Sequence, residues 1–221
     1  MDSIATNLQG LSHAITRAHT GEGRPVTLIA VSKTQPTEAV VAAAAAGQLD
    51  FGENYIQEGV DKISTLKASH PQLVWHMIGP IQSNKTSLVA QHFDWAHTID
   101  RLKIAQRLSA QRPAQLAPLQ VLIQINIDGE ASKSGVPPSE ALALAQQVCS
   151  LPNIALRGLM CIPEQNSAAA FARMAALMQS LTRQGLALDA LSMGMSADFE
   201  AAIAQGATHV RVGSAIFGAR R

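Results

Sequence analysis

One pattern repeats eight times along this chain of 221 residues: a short apolar run, a polar or glycine-rich loop, then an amphipathic stretch at helical spacing. The apolar runs fall at 26–32, Leu49–Gly52, Leu73–Ile78, Trp95–Ile99, Leu119–Ile127, Ile154–Met160, Leu188–Ser192 and His209–Val212. Helical segments follow at Thr37–Ala46, Glu53–Ala68, Ser83–Gln91, Arg101–Gln111, Ser139–Cys149, Ala168–Gln184 and Ala197–Ala204, with a short turn at Ser214–Gly218. Strands that alternate with helices pair in parallel, because the helix supplies the crossover. Eight such units predict a (β/α)8 barrel; a doubly wound open sheet is the alternative. Ile4, Leu8, Leu11 and Ile15 recur at helical spacing and predict an extra N-terminal helix packed outside the first strand. No linker marks a boundary, so residues 1–221 read as one domain.

Composition narrows the function. The formal net charge is +1 and aromatics make up 4%, which argues against nucleic acid and anionic membranes as partners. Residues 1–19 lack the apolar core of a signal peptide, and no apolar run is long enough to span a bilayer. Cys149 and Cys161 form no C-x-x-C pair. A cytoplasmic protein with two structural thiols is expected. No clustered metal-ligand motif is present, so no metal is expected.

The chemistry-bearing residues lie just after the apolar runs, where the loops crown the active face of a barrel. Lys33 ends the first run, in Leu28–Pro36 (LIAVSKTQP). Alternation puts Thr27, Ile29, Val31 and Lys33 on one face. Alone, Lys33 reads as a solvated lysine at a strand end. At the other end of the chain, Ser196 precedes a helical segment as a candidate N-cap, and Gly213-Ser214 opens the terminal turn. Barrels often bind phosphate between the loops after strands seven and eight. A closed barrel sets strand eight beside strand one, so a lysine and a phosphate cradle become neighbours. A lysine that attacks an aldehyde must be partly neutral, and apolar surroundings with a nearby cation favour that. The phosphorylated aldehyde that suits both groups is pyridoxal 5′-phosphate.

The runs AVSKTQP, FGENYIQE, WHMIGPIQSNK, RGLMCIP and MGMSADFEAAIAQGATHVRVGSAIFGAR resemble the pyridoxal-phosphate homeostasis proteins over essentially the whole chain. The resemblance implies the fold-type III barrel, like the N-terminal domain of alanine racemase. It implies that Lys33 carries the cofactor as a Schiff base and that Arg211 approaches the pyridine nitrogen. Ser196, Gly213 and Ser214 would hold the phosphate, and Asn54 and Asn84 would line the pocket. Gln35 departs from the pattern, since many members have a lysine there, and the chain stops soon after GAR.

Plainer roles stand beside these. Asn54 and Asn84 also read as caps of helices or loops, and His76 as a hydrogen-bonded interior histidine. Lys133 reads as a solvated loop lysine, Cys161 as packed, and Tyr55 as either a lid over the cofactor or a proton donor. Two functions compete: an intracellular carrier that delivers the cofactor to apoenzymes without turnover, and an amino-acid racemase or decarboxylase. Racemisation needs a second base, supplied in alanine racemase by an added domain that this chain is not expected to carry. The carrier is the expectation, as a monomer. A sugar-phosphate barrel enzyme is a third reading.

Overall fold

Thr27, Leu28, Ile29 and Ala30 pair in parallel with His209, Val210, Arg211 and Val212, and this register closes the sheet into a barrel. The computed structural model describes residues 2–19, 25–129, 134–164 and 168–218. Among them, eight strands follow one another around the barrel in sequence order: β1 (Thr27–Val31), β2 (Asp50–Glu53), β3 (Val74–Met77), β4 (Trp95–Ile99), β5 (Leu119–Gln124), β6 (Ile154–Met160), β7 (Ala190–Met195) and β8 (His209–Val212). The open-sheet alternative is excluded.

Helices α1 (Asp2–Ala18), α2 (Thr37–Ala45), α3 (Ile56–Leu66), α4 (Thr86–His92), α5 (Leu102–Gln111), α6 (Ala141–Cys149), α7 (Ala168–Arg183) and α8 (Phe199–Ala204) surround the strands, and α9 (Ser214–Phe217) follows β8. Short 3-10 turns at Ser83–Lys85 and Pro138–Glu140 precede α4 and α6. None of the described helices is long and apolar enough to cross a membrane.

The apolar core lies mainly between the barrel wall and the helices, where Val40, Phe51, Met77, Phe93, Ile104, Leu108 and Phe171 are fully or almost fully buried. Residues that touch across non-adjacent strands define the barrel interior. They are unusually polar: His76 on β3, His97 on β4, Ser192 on β7 and Arg211 on β8, with Trp95 and His209 beside them. The interior of a barrel of this kind is more often filled by branched apolar side chains.

Helix α1 lies against α2, α8 and α9, outside the seam where β8 meets β1. Leu8, Leu11 and Ile15 form its buried stripe. The Asn7 amide donates to the Ile216 carbonyl at 2.9 Å and ties α1 to α9.

Most expected elements differ from the observed ones by one to three residues at an end, and two of these differences bear on the site. β7 runs to Met195 rather than stopping at Ser192, because pairing with β8 resumes at Met195 beyond a register shift, within which Gly194 takes φ +93°. α8 begins at Phe199 with Asp198, not Ser196, at its N-cap position. Asp198 Oδ1 accepts from the Met195 amide at 2.6 Å, and that hydrogen bond forms the turn.

A candidate cofactor site at the barrel mouth

A cavity of about 340 Å³ opens at the C-terminal ends of the strands. Lys33, Asn54, Ser196, Arg211, Gly213 and Ser214 all border it, with Val31, Ile78, Ile162 and Met195 as apolar walls. A smaller cavity of about 210 Å³ adjoins it and shares Asn54, Ile78 and Ile162.

The β1 end is held by a buried ionic cluster. Ser32 donates from Oγ to Glu53 Oε1 at 2.6 Å. Lys62, on α3, donates to the Ser32 carbonyl at 2.6 Å and to carboxylate oxygens of Glu53 and Glu58 at 2.8 and 2.7 Å. The Thr34 amide donates to the same Glu58 oxygen at 2.6 Å. Thr34 has φ +62°, a left-handed conformation that a β-branched residue adopts only when its surroundings impose it. The cluster thus fixes the residues on both sides of Lys33 and leaves its side chain on the cavity. Burial pushes the Glu53 carboxyl up from its ordinary range, against the pull of Lys62 and Ser32.

On the neighbouring side, beyond β7 and β8, Ser196 and Ser214 bring their hydroxyl oxygens to 3.3 Å. Freed from capping α8, Ser196 faces the same space as Ser214. A Cβ at Gly213 would lie 3.2 Å from the Val31 carbonyl oxygen, so glycine lets the two strand ends approach closely.

Arg211 is 5% exposed. It donates to Ser192 Oγ at 2.7 Å and to the Cys161 carbonyl at 2.9 Å. Burial lowers its pKa, while the Cys161 thiol and the Asp198 carboxylate act the other way. A guanidinium keeps its proton in proteins, so Arg211 is a buried cation. Cys161 is pushed up to about 12 by burial and is inert as a nucleophile at neutral pH.

Asn54 sits where β2 leads into α3, and its carbonyl lies against Gly79: a Cβ there would fall 2.1 Å from the Asn54 oxygen. Asn84 lies on the exposed 3-10 turn before α4 and borders neither cavity. Tyr55 is 58% exposed and is not part of the lining. His76 is an interior histidine with both ring nitrogens engaged, to His97 and Asp50. Lys133 lies outside the described residues. Sequence reading missed the Ser32–Glu53–Lys62–Glu58 cluster and the role of Ser192. The one available signal was a carboxylate, Glu53, at the end of a buried strand.

Comparison with known proteins agrees with this geometry. Residues 2–221 match the family described as alanine racemase, N-terminal domain. The chain is 55% identical over 230 aligned positions to the pyridoxal phosphate homeostasis protein of Vibrio cholerae, covering 100% of this chain and 98% of that one. It is 56% identical over 225 positions to the protein of the same name from Pseudomonas aeruginosa, covering 100% and 97%. PipY of Synechococcus elongatus, solved with pyridoxal phosphate bound, superposes with a TM-score of 0.84 at 37% identity, covering 97% of this chain and 100% of that one. Alanine racemase of Clostridium difficile, at 16% identity and a TM-score of 0.73, shares the fold and covers 100% of this chain and 57% of its own. Fold and site thus define a barrel of the alanine racemase N-terminal-domain class. Within that class, the chain belongs to the pyridoxal phosphate homeostasis protein family.

Proposed function

We propose that this chain binds pyridoxal 5′-phosphate at the barrel mouth, holds it reversibly on Lys33, and serves as an intracellular source of the cofactor without turnover of its own. The observation that carries this reading is the convergence on one cavity of an amine, a buried guanidinium and two hydroxyls beside a glycine. That set suits a phosphorylated pyridine aldehyde. When bound, the cofactor supplies an electrophilic carbonyl and, where its ring nitrogen is protonated, an electron sink.

The residues divide the work. Lys33 Nζ, in its neutral form, would hold the cofactor through its aldehyde carbon. Ser196, Ser214 and the backbone at Gly213 bind the phosphate. Arg211 would offer its remaining N–H groups to the ring nitrogen, and because it does not surrender a proton it would leave that nitrogen unprotonated. Asn54 borders the ring; Asn84 has no part in this reading. Tyr55, outside the lining, is not placed to move a proton on the far side of the cofactor. Weak electron withdrawal and the want of a second base among the described residues that line the cavity favour a carrier over a racemase or decarboxylase. The names of the relatives and the ligand in PipY support the same reading. A monomer in the cytoplasm, passing the cofactor to apoenzymes, completes the proposal.

The test is borohydride reduction of the loaded protein followed by peptide mapping. The label is expected on Lys33 and lost in Lys33→Ala; a label that stays elsewhere in the wild type overturns the assignment. Turnover of an L-amino acid at about 1 per second or faster, a rate ordinary for enzymes, overturns the carrier role.

A further inference from the structure

Among the described residues, Arg211 has no carboxylate as a hydrogen-bond partner, although it is almost fully buried. Its Ser192 contact opens a chain of hydrogen bonds that runs down the barrel interior. Ser192 Oγ is 3.0 Å from His97 Nδ1, His97 Nε2 is 3.0 Å from His76 Nδ1, and His76 Nε2 is 3.0 Å from Asp50 Oδ1. Asp50 begins β2, near the barrel floor, and its side chain is 28% exposed. His76 and His97 are fully buried, and Trp95 stacks on His76 with centroids 5.5 Å apart.

With both histidines neutral, the donor at one end and the acceptor at the other order the protons along the chain. The Arg211 guanidinium only donates, so Ser192 Oγ accepts from it. The Asp50 carboxylate accepts, so His76 carries its proton on Nε2. With His76 neutral, its Nδ1 accepts from His97 Nε2–H. His97 Nδ1 is then bare and accepts the Ser192 hydroxyl proton. Every donor in the chain meets one acceptor. The reverse order would have His97 Nδ1–H and Arg211 both donate to Ser192 Oγ, leaving the Ser192 proton outside the chain. Burial, reinforced by His76, His209 and Arg211, holds His97 well below the ordinary histidine pKa, which is consistent with a neutral ring. His76 is also near His209 and Trp95, and Asp50 is its facing carboxylate.

We propose that Ser192, His97, His76 and Asp50 are positioning residues: a neutral, one-directional chain that aims the Arg211 guanidinium at the cofactor's ring nitrogen. All the bond dipoles turn their negative ends toward Arg211, so a remote carboxylate helps to stabilise the buried cation. A carboxylate in direct contact would occupy the N–H groups that face the cavity. The inference rests on the reading of the mouth as a pyridoxal-phosphate site and extends it to residues far from the cofactor.

Two measurements test it. In the cofactor-free wild type, nitrogen-15 NMR of the histidine side chains should show His76 and His97 both protonated at Nε2 and bare at Nδ1. A proton on His97 Nδ1 overturns the chain. In the loaded protein, Ser192→Ala removes the acceptor that orients Arg211. The nitrogen-15 shift of labelled cofactor and the visible band should both move, and affinity should fall about tenfold, the scale of a hydrogen bond to a charged group. Attachment to Lys33 should persist under borohydride. A ring-nitrogen shift equal to that of wild type overturns the positioning role while leaving the function standing. A wild type with no reducible cofactor on Lys33 overturns both. The tautomer measurement needs no variant, so a misfolded Ser192→Ala does not remove the test.

Discussion

Lys62 illustrates how a single buried charge can serve a site that it does not enter. Its ammonium meets two carboxylates and a carbonyl directly beneath Lys33, and its side chain is 6% exposed. Lys62→Met keeps much of the volume but leaves Glu53 buried without its cation. Loss of one partner from a buried pair costs about 3–5 kcal/mol, so the urea midpoint should fall sharply. Attachment at Lys33 should weaken as well, since Ser32 and Thr34 lose their anchor. A midpoint equal to wild type would show that the cluster is not structural. Ser214 presents the opposite case. It is exposed, so Ser214→Asp should leave the cofactor-free midpoint near wild type. The added carboxylate would face a phosphate dianion across a partly dry cavity and weaken cofactor binding. Unchanged affinity in a titration would place the phosphate away from Ser214.

At the scale of elements, the mouth depends on two close backbone approaches, Gly79 to Asn54 and Gly213 to Val31. Gly79→Ala sets a methyl carbon into a carbonyl oxygen that belongs to backbone, so the two loops must part. A destabilisation of about 1–3 kcal/mol is expected from overpacking, with weaker cofactor binding. Full stability in denaturant would show that the loops yield freely. Much of this framework was legible beforehand. The strands at 95–99, 154–160 and 209–212 match the observed boundaries, because each apolar run is bounded by polar or turn residues. The expected β7 ends three residues early, since serine and glycine in Ser192–Met195 signal a loop and pairing with β8 overrides that signal. Ser196 satisfied the cap preference by type, yet Asp198 lay nearer the helix start. Strand alternation can place His76, His97 and Arg211 on a face, but it does not show that three strands aim them at one another across a closed barrel. That requires the closure itself.

The whole molecule should record its buried histidines in its acid stability. Burial lowers His209 to about 4 and His97 well below 6.5. A histidine depressed in the folded state binds protons more tightly once unfolded. Stability is therefore full above about pH 6.5 and is lost as pH falls from there toward 4. Glu53 and Asp94, raised by burial, take up protons in the folded state first and offset part of that loss. Thermal midpoints measured across this window should decline, and His209→Asn should flatten the decline. A variant whose slope equals that of wild type would remove His209 from the acid response.

The pairing of β1 with β8 joins Thr27 to His209, and Lys33 and the two serines of the mouth cavity come from opposite parts of the sequence. Lys33 is made early on the ribosome; Ser196, Arg211, Gly213 and Ser214 are made late. No partly synthesised chain that lacks β8 can hold an aldehyde on Lys33 and a phosphate on Ser214 together. Contacts of such long sequence separation form late, because loop-closure entropy opposes them until the intervening units are in place. On the proposed function, capture of the cofactor would thus report on the last folding step, and custody of a reactive aldehyde could not begin until the barrel is shut.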